Sequence, residues 1–301
     1  MKRRWWLWLA CAVVFATGLR YAARFPWLDT WTTLAAADWT LLAAAGALNL
    51  LSLAGKAWAW QLVLRPLAPV RFRSAQAATF AGAAVNSISI AMSGEATRGH
   101  LVGIWDGVSP AMAVRSIATS RLVEAIALGV FLVGVAAGVT SGHEWRLVGG
   151  AVLLLGGALA LLRWVPWLRP RGGDGADVGG WTAAQLTAPV ALNVAAWGLQ
   201  WATYHWSIAA TDAAVTPGLS ALALVLANVG GIFRLTPGNV GVVQGAVVLG
   251  LAPAHVPVPQ AVAAGLALQA VQVLPLLVIG LALLGRHGMR ELLRRRPAED
   301  A

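Results

Sequence analysis

Two pairs of opposite charges in this chain have a spacing that could do chemistry. Glu95 and Arg98 stand three residues apart, as do Arg121 and Glu124, and on a helix that spacing puts each pair on one face. A guanidinium grips phosphate through parallel hydrogen bonds, so Arg98 and Arg121 could hold an anionic headgroup while the two glutamates hold the arginines in place. The same four residues could instead be a salt-bridged packing cluster. A third use is acid–base work by Glu95, Asp106 or Glu124, but no nucleotide motif or metal-ligand cluster accompanies these carboxylates. The histidines (His100, His143, His205, His255, His287) are scattered without ligand spacing, and Cys11 is the sole cysteine, inside an apolar run. No metal, no cofactor and no disulfide framework is expected.

The elements that position these residues follow from composition. Of 301 residues 58% are hydrophobic and 11% charged, against about 25% charged in a soluble domain. Too little polar surface is left for an ordinary soluble enzyme, so the apolar excess must face lipid. The net charge of +10 raises the prospect of a nucleic-acid binder, which the placement of the basic residues has to decide.

Apolar stretches run over residues 5–19, 40–64, 74–92, 116–139, 147–162, 183–210, 220–251 and 260–284. Most have the length of a helix that crosses a hydrocarbon core of about 30 Å. The first follows Lys2, Arg3 and Arg4 and reads as a retained anchor rather than a cleaved signal peptide, because it is Trp-rich and flanked by Arg20 and Arg24. Residues 220–251 are too long for one crossing and are interrupted at Thr236, Pro237, Gly238 and Asn239, where two short helices are expected. Residues 74–92 end in a polar run, Ser93 to Gly99.

Cytoplasmic loops collect Lys and Arg. The basic groups Lys2 to Arg4, Arg65 to Arg73, Arg163 to Arg171 and Arg286 to Arg296 all fall on one side only if 74–92 and 220–251 each dip in and return. That topology puts 16 of the 22 basic residues inside, Arg98 and Arg115 among them. Arg20, Arg24 and Arg146 lie outside, and Lys56, Arg121 and Arg234 are left at membrane depth. The excess charge is thus an orientation signal, and nucleic acid is dismissed as a partner. Trp5, Trp6, Trp39, Trp145, Trp164, Trp167 and Trp181 sit at segment ends, where an indole prefers the headgroup level. Trp58, Trp60, Trp197, Trp201 and Trp206 read as packing or groove residues, with plain packing favoured over an aromatic lipid contact.

The expected fold is all-α: a polytopic integral membrane helix bundle with about six spanning helices plus two re-entrant hairpins related by an inverted repeat. It forms a single transmembrane domain over 1–301. The first half is 1–165 with its hairpin at 74–104, and 166–182 is a Gly/Asp-rich cytoplasmic linker. The second half is 183–285 with its hairpin at 220–251, and 286–301 is a basic tail. The repeat is visible in spacing: Gly94 to Arg121 is 27 residues and Gly241 to Gln269 is 28. Inverted repeats with broken helices build midplane sites in many transporters, because irregular backbone survives at that depth only where buried or lining a wet cavity. The plainer use of the same Gly and Pro residues is close helix packing.

The motifs resemble one family. Residues 86–98 (NSISIAMSGEATR) look like the "N…P…GE..R" signature of the lysylphosphatidylglycerol synthase transmembrane family. SRLVE at 120–124 is similar to its "eR..D" helix start, and LTPGNVGVVQ at 235–244 to its "PGG.G..E". Ile90 stands where the family often has Pro, Asn239 where it has Gly, Gln244 where it has Glu, and Gln269 where it has Arg. If Gln244 and Gln269 face each other, a hydrogen-bonded amide pair replaces an ion pair and leaves no orphan charge.

The resemblance implies a membrane module that flips a lipid, without the cytoplasmic aminoacyl-transferase domain, since too few residues follow 284 to build one. The substrate-binding candidates it supplies are Asn86, Gly94, Glu95, Arg98, Arg121, Glu124, Pro237, Gly238, Asn239, Gly241, Gln244 and Gln269. The expected partners are membrane phospholipids or lipid-linked glycans, with an enzyme of lipid modification as a further candidate. The expected location is the cell membrane with both termini cytoplasmic. A non-enzymatic flippase is the leading expectation. A membrane enzyme acting on lipid-linked sugars, and a scaffold for a partner enzyme, are the other two.

Overall fold

The computed structural model describes residues 20, 23–89, 93–138, 181–231 and 236–295, with backbone alone at 136–138, 183 and 286–295. Every regular element among them is helical: α1 (Trp27–Ala35), α2 (Trp39–Leu64), α3 (Phe72–Ile88), α4 (Ser93–Asp106), α5 (Pro110–Gly138), α6 (Ala183–Ala209), α7 (Pro217–Gly231), α8 (Val242–Leu251) and α9 (Val258–Arg295). Short 3₁₀ turns at Pro237–Asn239 and Ala252–Ala254 flank α8.

Local chemistry fixes the boundaries. Asp38 caps α2, accepting hydrogen bonds from Thr40 N at 2.8 Å and Leu41 N at 3.2 Å. Thr182 and Gln185 form a reciprocal capping box that starts α6 where the linker ends. Helix α5 begins at Pro110, six residues before its apolar stretch, because proline suits the first helical position and Ser109 Oγ accepts from Met112 N.

Helices α2 and α6 pack antiparallel along their full length. Asp38 N donates to Ala210 O at 2.8 Å at one end, Ser52 Oγ donates to Ala196 O at 2.8 Å midway, and Trp181 Nε1 donates to Val63 O at 3.1 Å at the other. This pair, 26 and 27 residues long, is about 39 Å tall at 1.5 Å per residue. It defines two ends of the molecule, one marked by Leu64 and Trp181 and the other by Asp38 and Ala210.

The hairpins start from opposite ends. Helices α3 and α4 run antiparallel from the Arg71–Asp106 ion pair (2.7 Å) at their base to Asn86 and Gly94 at their tip. The base lies at the Leu64 end, where Gln61 Nε2 donates to Val70 O at 3.0 Å. Helices α7 and α8 are also antiparallel, with Ala223 against Gly250 and Gly230 against Val242. Their base lies at the Ala210 end, where Gln260 Nε2 donates to Thr211 O at 3.1 Å. The 17 residues of α3 rise only about 25 Å and the ten of α8 about 15 Å, so neither hairpin crosses.

Among the described residues, four helices are long enough to cross a hydrocarbon core: α2, α5, α6 and α9. Helix α9 leaves the Ala210 end, passes the second hairpin tip at Gln269, and packs Gly280 against Ala84 of α3. By length and hydropathy the apolar spans are Trp39–Leu64, Pro110–Val135, Pro237–Ala254 and Val258–Gly285. Pro237–Ala254 reaches that length only by joining α8 to both 3₁₀ turns, across positive φ at Gly238 (60°) and Gly241 (87°). Helix α6 has the length but is more polar, and its Asn193, Thr203 and Ser207 are buried in the bundle. The remaining two expected crossings, 5–19 and 147–162, and most of the linker lie outside the described residues. Helix α9 continues to Arg295, nine residues beyond the expected start of the tail at 286.

Apolar packing is concentrated where the crossing helices meet the hairpins. Leu128, Leu132, Trp197, Ile208, Leu224, Val247, Leu251 and Leu268 form the core around the second hairpin. A second cluster, with Trp60, Leu64, Val70, Ala78, Leu101 and Val102, seats the first hairpin. Two of the tryptophans read as packing residues, Trp58 and Trp206, are instead exposed on the flank, whereas Trp60 and Trp197 are buried.

Candidate functional site

The first hairpin tip is closed by side-chain chemistry. Asn86 Oδ1 accepts from Gly94 N at 2.8 Å, which supplies a partner for a donor at the start of α4 that has none within its helix. Gly82 and Gly94 face each other so closely that a Cβ on either would strike the other's backbone carbonyl. Glu95 then falls in the first turn of α4, where a carboxylate also complements the helix dipole.

From that position Glu95 organises a four-member ion cluster. Its Oε2 lies 2.9 Å from Arg98 Nε, close enough for ion pairing though not aligned as a hydrogen bond. Its Oε1 meets Arg121 Nη2. Arg121 Nη1 donates to Glu124 Oε2 at 2.7 Å. The two pairs expected from i,i+3 spacing therefore exist, and a cross-helix pair joins them. Arg98, counted among inner-loop residues by the topology, is instead inside the bundle, with its guanidinium stacked 4.4 Å over the Trp60 ring. Trp60 is held in turn by its Nε1, which donates to Ser116 Oγ at 3.1 Å.

Lys56 joins this group. Its ammonium lies 3.8 Å from the centroid of the Trp197 ring, within electrostatic reach of Glu124, and Trp197 Nε1 donates to the Glu124 carbonyl at 3.0 Å. It was visible in the sequence as a lone lysine inside an apolar stretch, but nothing there linked it to Glu124. An unpaired charge at this depth costs about 2.5–3.5 kcal/mol or more, which explains why these groups cluster. The described group sets three basic side chains, Lys56, Arg98 and Arg121, beside two acidic ones, Glu95 and Glu124. Three of its buried donors, Arg98 Nε, Arg98 Nη2 and Arg121 Nε, and one acceptor, Glu95 Oε2, have no hydrogen-bond partner among the described residues. Arg121 is also the accessible member, its side chain 40% exposed against 10% or less for Glu95, Arg98 and Glu124.

Among the described residues, the side chains that tie the second tip are uncharged amides. Gly241 N donates to Gln244 Oε1 at 2.7 Å, Gln244 Nε2 to Gln269 Oε1, and Gln269 Nε2 to Gly238 O at 2.8 Å. The amide pair anticipated from the sequence is therefore present, extended into a relay that ties the turn to α9. Gly238 and Asn239 both adopt left-handed backbone (φ 60° and 56°), a region Gly and Asn enter at low cost. Pro237 is exposed at the start of the turn.

The twelve candidate residues thus form two groups rather than one. Asn86, Gly94, Glu95, Arg98, Arg121 and Glu124 surround the first tip, and Pro237, Gly238, Asn239, Gly241, Gln244 and Gln269 make the second. The tips meet through backbone: a Cβ on Gly238 would collide with the Ser87 carbonyl. Asp106, grouped with the glutamates as an acid–base candidate, is at the hairpin base, eleven residues and about 16 Å along α4 from Glu95, paired with Arg71. Of the departures from the family pattern, Ile90 lies outside the described residues.

Among known families, the model described as "Lysylphosphatidylglycerol synthase TM region" matches residues 6–280. No curated protein matches the chain.

Proposed function

Since the chain belongs to the lysylphosphatidylglycerol synthase TM-region family, a family of membrane proteins related to lipid headgroup handling, we propose that it translocates a phospholipid or lipid-linked headgroup between leaflets without altering it chemically. The observation that carries this reading is the meeting of two half-crossing hairpins from opposite ends, beside an ion cluster with unpartnered arginine donors. A headgroup needs polar partners at the depth where lipid tails offer none, and that is where Arg98 and Arg121 stand. The Leu64 end carries Arg65, Arg71 and Arg73, which supports placing it, and both termini, on the cytoplasmic side of the cell membrane. The enzyme reading has less support, because Glu95 and Glu124 are engaged by arginines and Asp106 is remote.

The test is reconstitution of the full chain into vesicles carrying a tail-labelled fluorescent phospholipid. Arg121→Ala should slow its movement by about tenfold or more, the loss expected when a charge-assisted contact to the headgroup is removed. The fold should survive, since Arg98 still faces Glu95 and Lys56 remains near Glu124. An unchanged rate would overturn the role given to Arg121. Mass spectrometry of the same lipid separates transport from chemistry, because a changed headgroup mass would establish an enzyme.

A further inference from the structure

We infer that the site carries one proton together with each phosphate-bearing headgroup, and that the proton rides on Lys56. This rests on the transport reading above and adds a co-transported ion to it.

Composition singles out Lys56 first. Of the 22 basic residues only Lys2 and Lys56 are lysine, and the rest are arginine. Arginine stays protonated at any pH a protein meets, whereas lysine gives up its proton readily once buried. Permanent cations thus stand at Arg98 and Arg121, and a titratable one stands beside them at membrane depth.

The surroundings of Lys56 admit both of its forms. Its Nζ forms no ion pair among the described residues and lies 3.8 Å from the centroid of the Trp197 ring. The face of that ring attracts an ammonium and is also an apolar wall for a neutral amine. Trp197 Nε1 donates to Glu124 O at 3.0 Å, so this seat is fixed to the helix that carries Arg121. The titratable groups turned toward Lys56 are Glu124 and Arg121 from α5, with Glu95 and Arg98 of α4 behind them. On α6, Tyr204 faces Gln272 and His205 faces Ser220, about two turns from Trp197. Arg73 of α3 stands at the base of that hairpin, and α9 has no titratable residue before Arg286.

The two arginines and two glutamates of the cluster are joined by ion pairs and balance in formal charge. A protonated Lys56 is then a fifth, uncompensated charge where lipid tails offer no solvation. A phosphodiester arriving at Arg121, the exposed member, adds one negative charge within electrostatic reach of Lys56, as Arg121 itself is. Lys56 Nζ takes a proton from water as that anion enters and returns it to water as the anion leaves, so the empty and the loaded site both close in charge. The coupling acts on the phosphate, which plain and aminoacylated headgroups share.

The experiment uses the full chain in detergent micelles with brominated phosphatidylglycerol, over about pH 6 to 9, where carboxylates and guanidinium groups keep their charge. Binding, read by quenching of tryptophan fluorescence, should weaken by about tenfold per pH unit over part of that range, since one proton is bound with each lipid. Lys56→Arg, which keeps its proton, and Lys56→Met, which has none to gain, should both bind independently of pH. A flat profile in the parent, or no binding at any pH, overturns the proposal, as does a slope that persists in both variants. With only two lysines, ¹⁵N-lysine NMR reads the proton directly. The Nζ signal that Lys56→Arg lacks should change from amine to ammonium when phosphatidylglycerol is added at the upper pH, and an unchanged signal overturns the assignment to Lys56. In phosphatidylcholine vesicles made acidic outside by one pH unit, tail-labelled phosphatidylglycerol should collect in the inner leaflet by up to about tenfold over protein-free vesicles. Movement blind to the gradient overturns proton coupling and leaves the transport reading standing. Movement of no lipid sinks the transport reading, and the affinity profile and the Nζ signal still decide where the proton binds.

Discussion

The two hairpins share a topology and differ in how they survive at membrane depth. The first closes its tip with one side chain, Asn86, and surrounds it with charge; the second closes its tip with a relay of two glutamine amides and left-handed backbone at Gly238 and Asn239. Both solve the same problem, a broken helix whose backbone groups have no water to turn to. The ionic solution leaves donors over, and the amide solution leaves none among the bonds of the relay. Of the two tips, it is the first that has unpartnered buried donors among the described residues.

That contrast can be broken most severely at Glu95. Glu95→Leu would leave Arg98 buried beside only Trp60, and removal of one partner from a buried ion pair costs about 3–5 kcal/mol. The expected result is a large loss of thermal stability in detergent, read by intrinsic tryptophan fluorescence; a melting point within a degree or two of the parent would mean that the cluster is solvated. Asn86→Ala should cost less, about 1–3 kcal/mol, the penalty for an orphaned Gly94 N–H. Its protection against hydrogen exchange should fall at residues 93–98 and not in α8, and uniform loss across both hairpins would contradict the local role. At the amide relay Gln269→Leu should cost about 0.6–1.7 kcal/mol, the range for hydrogen bonds between membrane helices. A loss at Gln269 equal to that at Glu95 would erase the distinction between the hairpins.

The smallest effect is expected far from both tips. The Asp38 carboxyl is held below its usual value, chiefly by the Thr40 hydroxyl and then by the Leu41 and Thr40 backbone N–H groups. A depressed carboxylate adds stability above its unfolded-state pKa and loses it as pH falls through the folded-state value. Acidification below the ordinary Asp range should therefore lower the melting point slightly more in the parent than in Asp38→Asn, and identical acid profiles would remove Asp38 from the account.

Much of this arrangement was readable from residue order. The hairpins followed from where the basic residues lie and from the Pro and Gly at 237–238, because membrane depth tolerates few other reasons for either. The pairs Glu95–Arg98 and Arg121–Glu124 followed from helical spacing alone. What could not be read were contacts between residues distant in the chain: the Glu95–Arg121 bridge, the Arg98 stack on Trp60, and Lys56 on Trp197. Arg98 was misplaced because the polar run around it looks like a loop, whereas Trp60 and Glu95 hold it in the interior. Arg115 misled in a similar way, obscuring the start of α5 at Pro110. The separation of Asp106 from the glutamates also needed the fold, since only the antiparallel pairing of α3 and α4 puts it next to Arg71.

The Lys56–Trp197 contact also has a temporal side. The two residues are 141 positions apart, and at roughly 5–20 residues per second a ribosome needs roughly 7–28 s to produce the second after the first. Throughout that interval α2 holds a lysine whose aromatic seat does not yet exist. A product truncated before α6 lacks the ring on which Lys56 rests and leaves it with Glu124 of α5 as its described counter-charge.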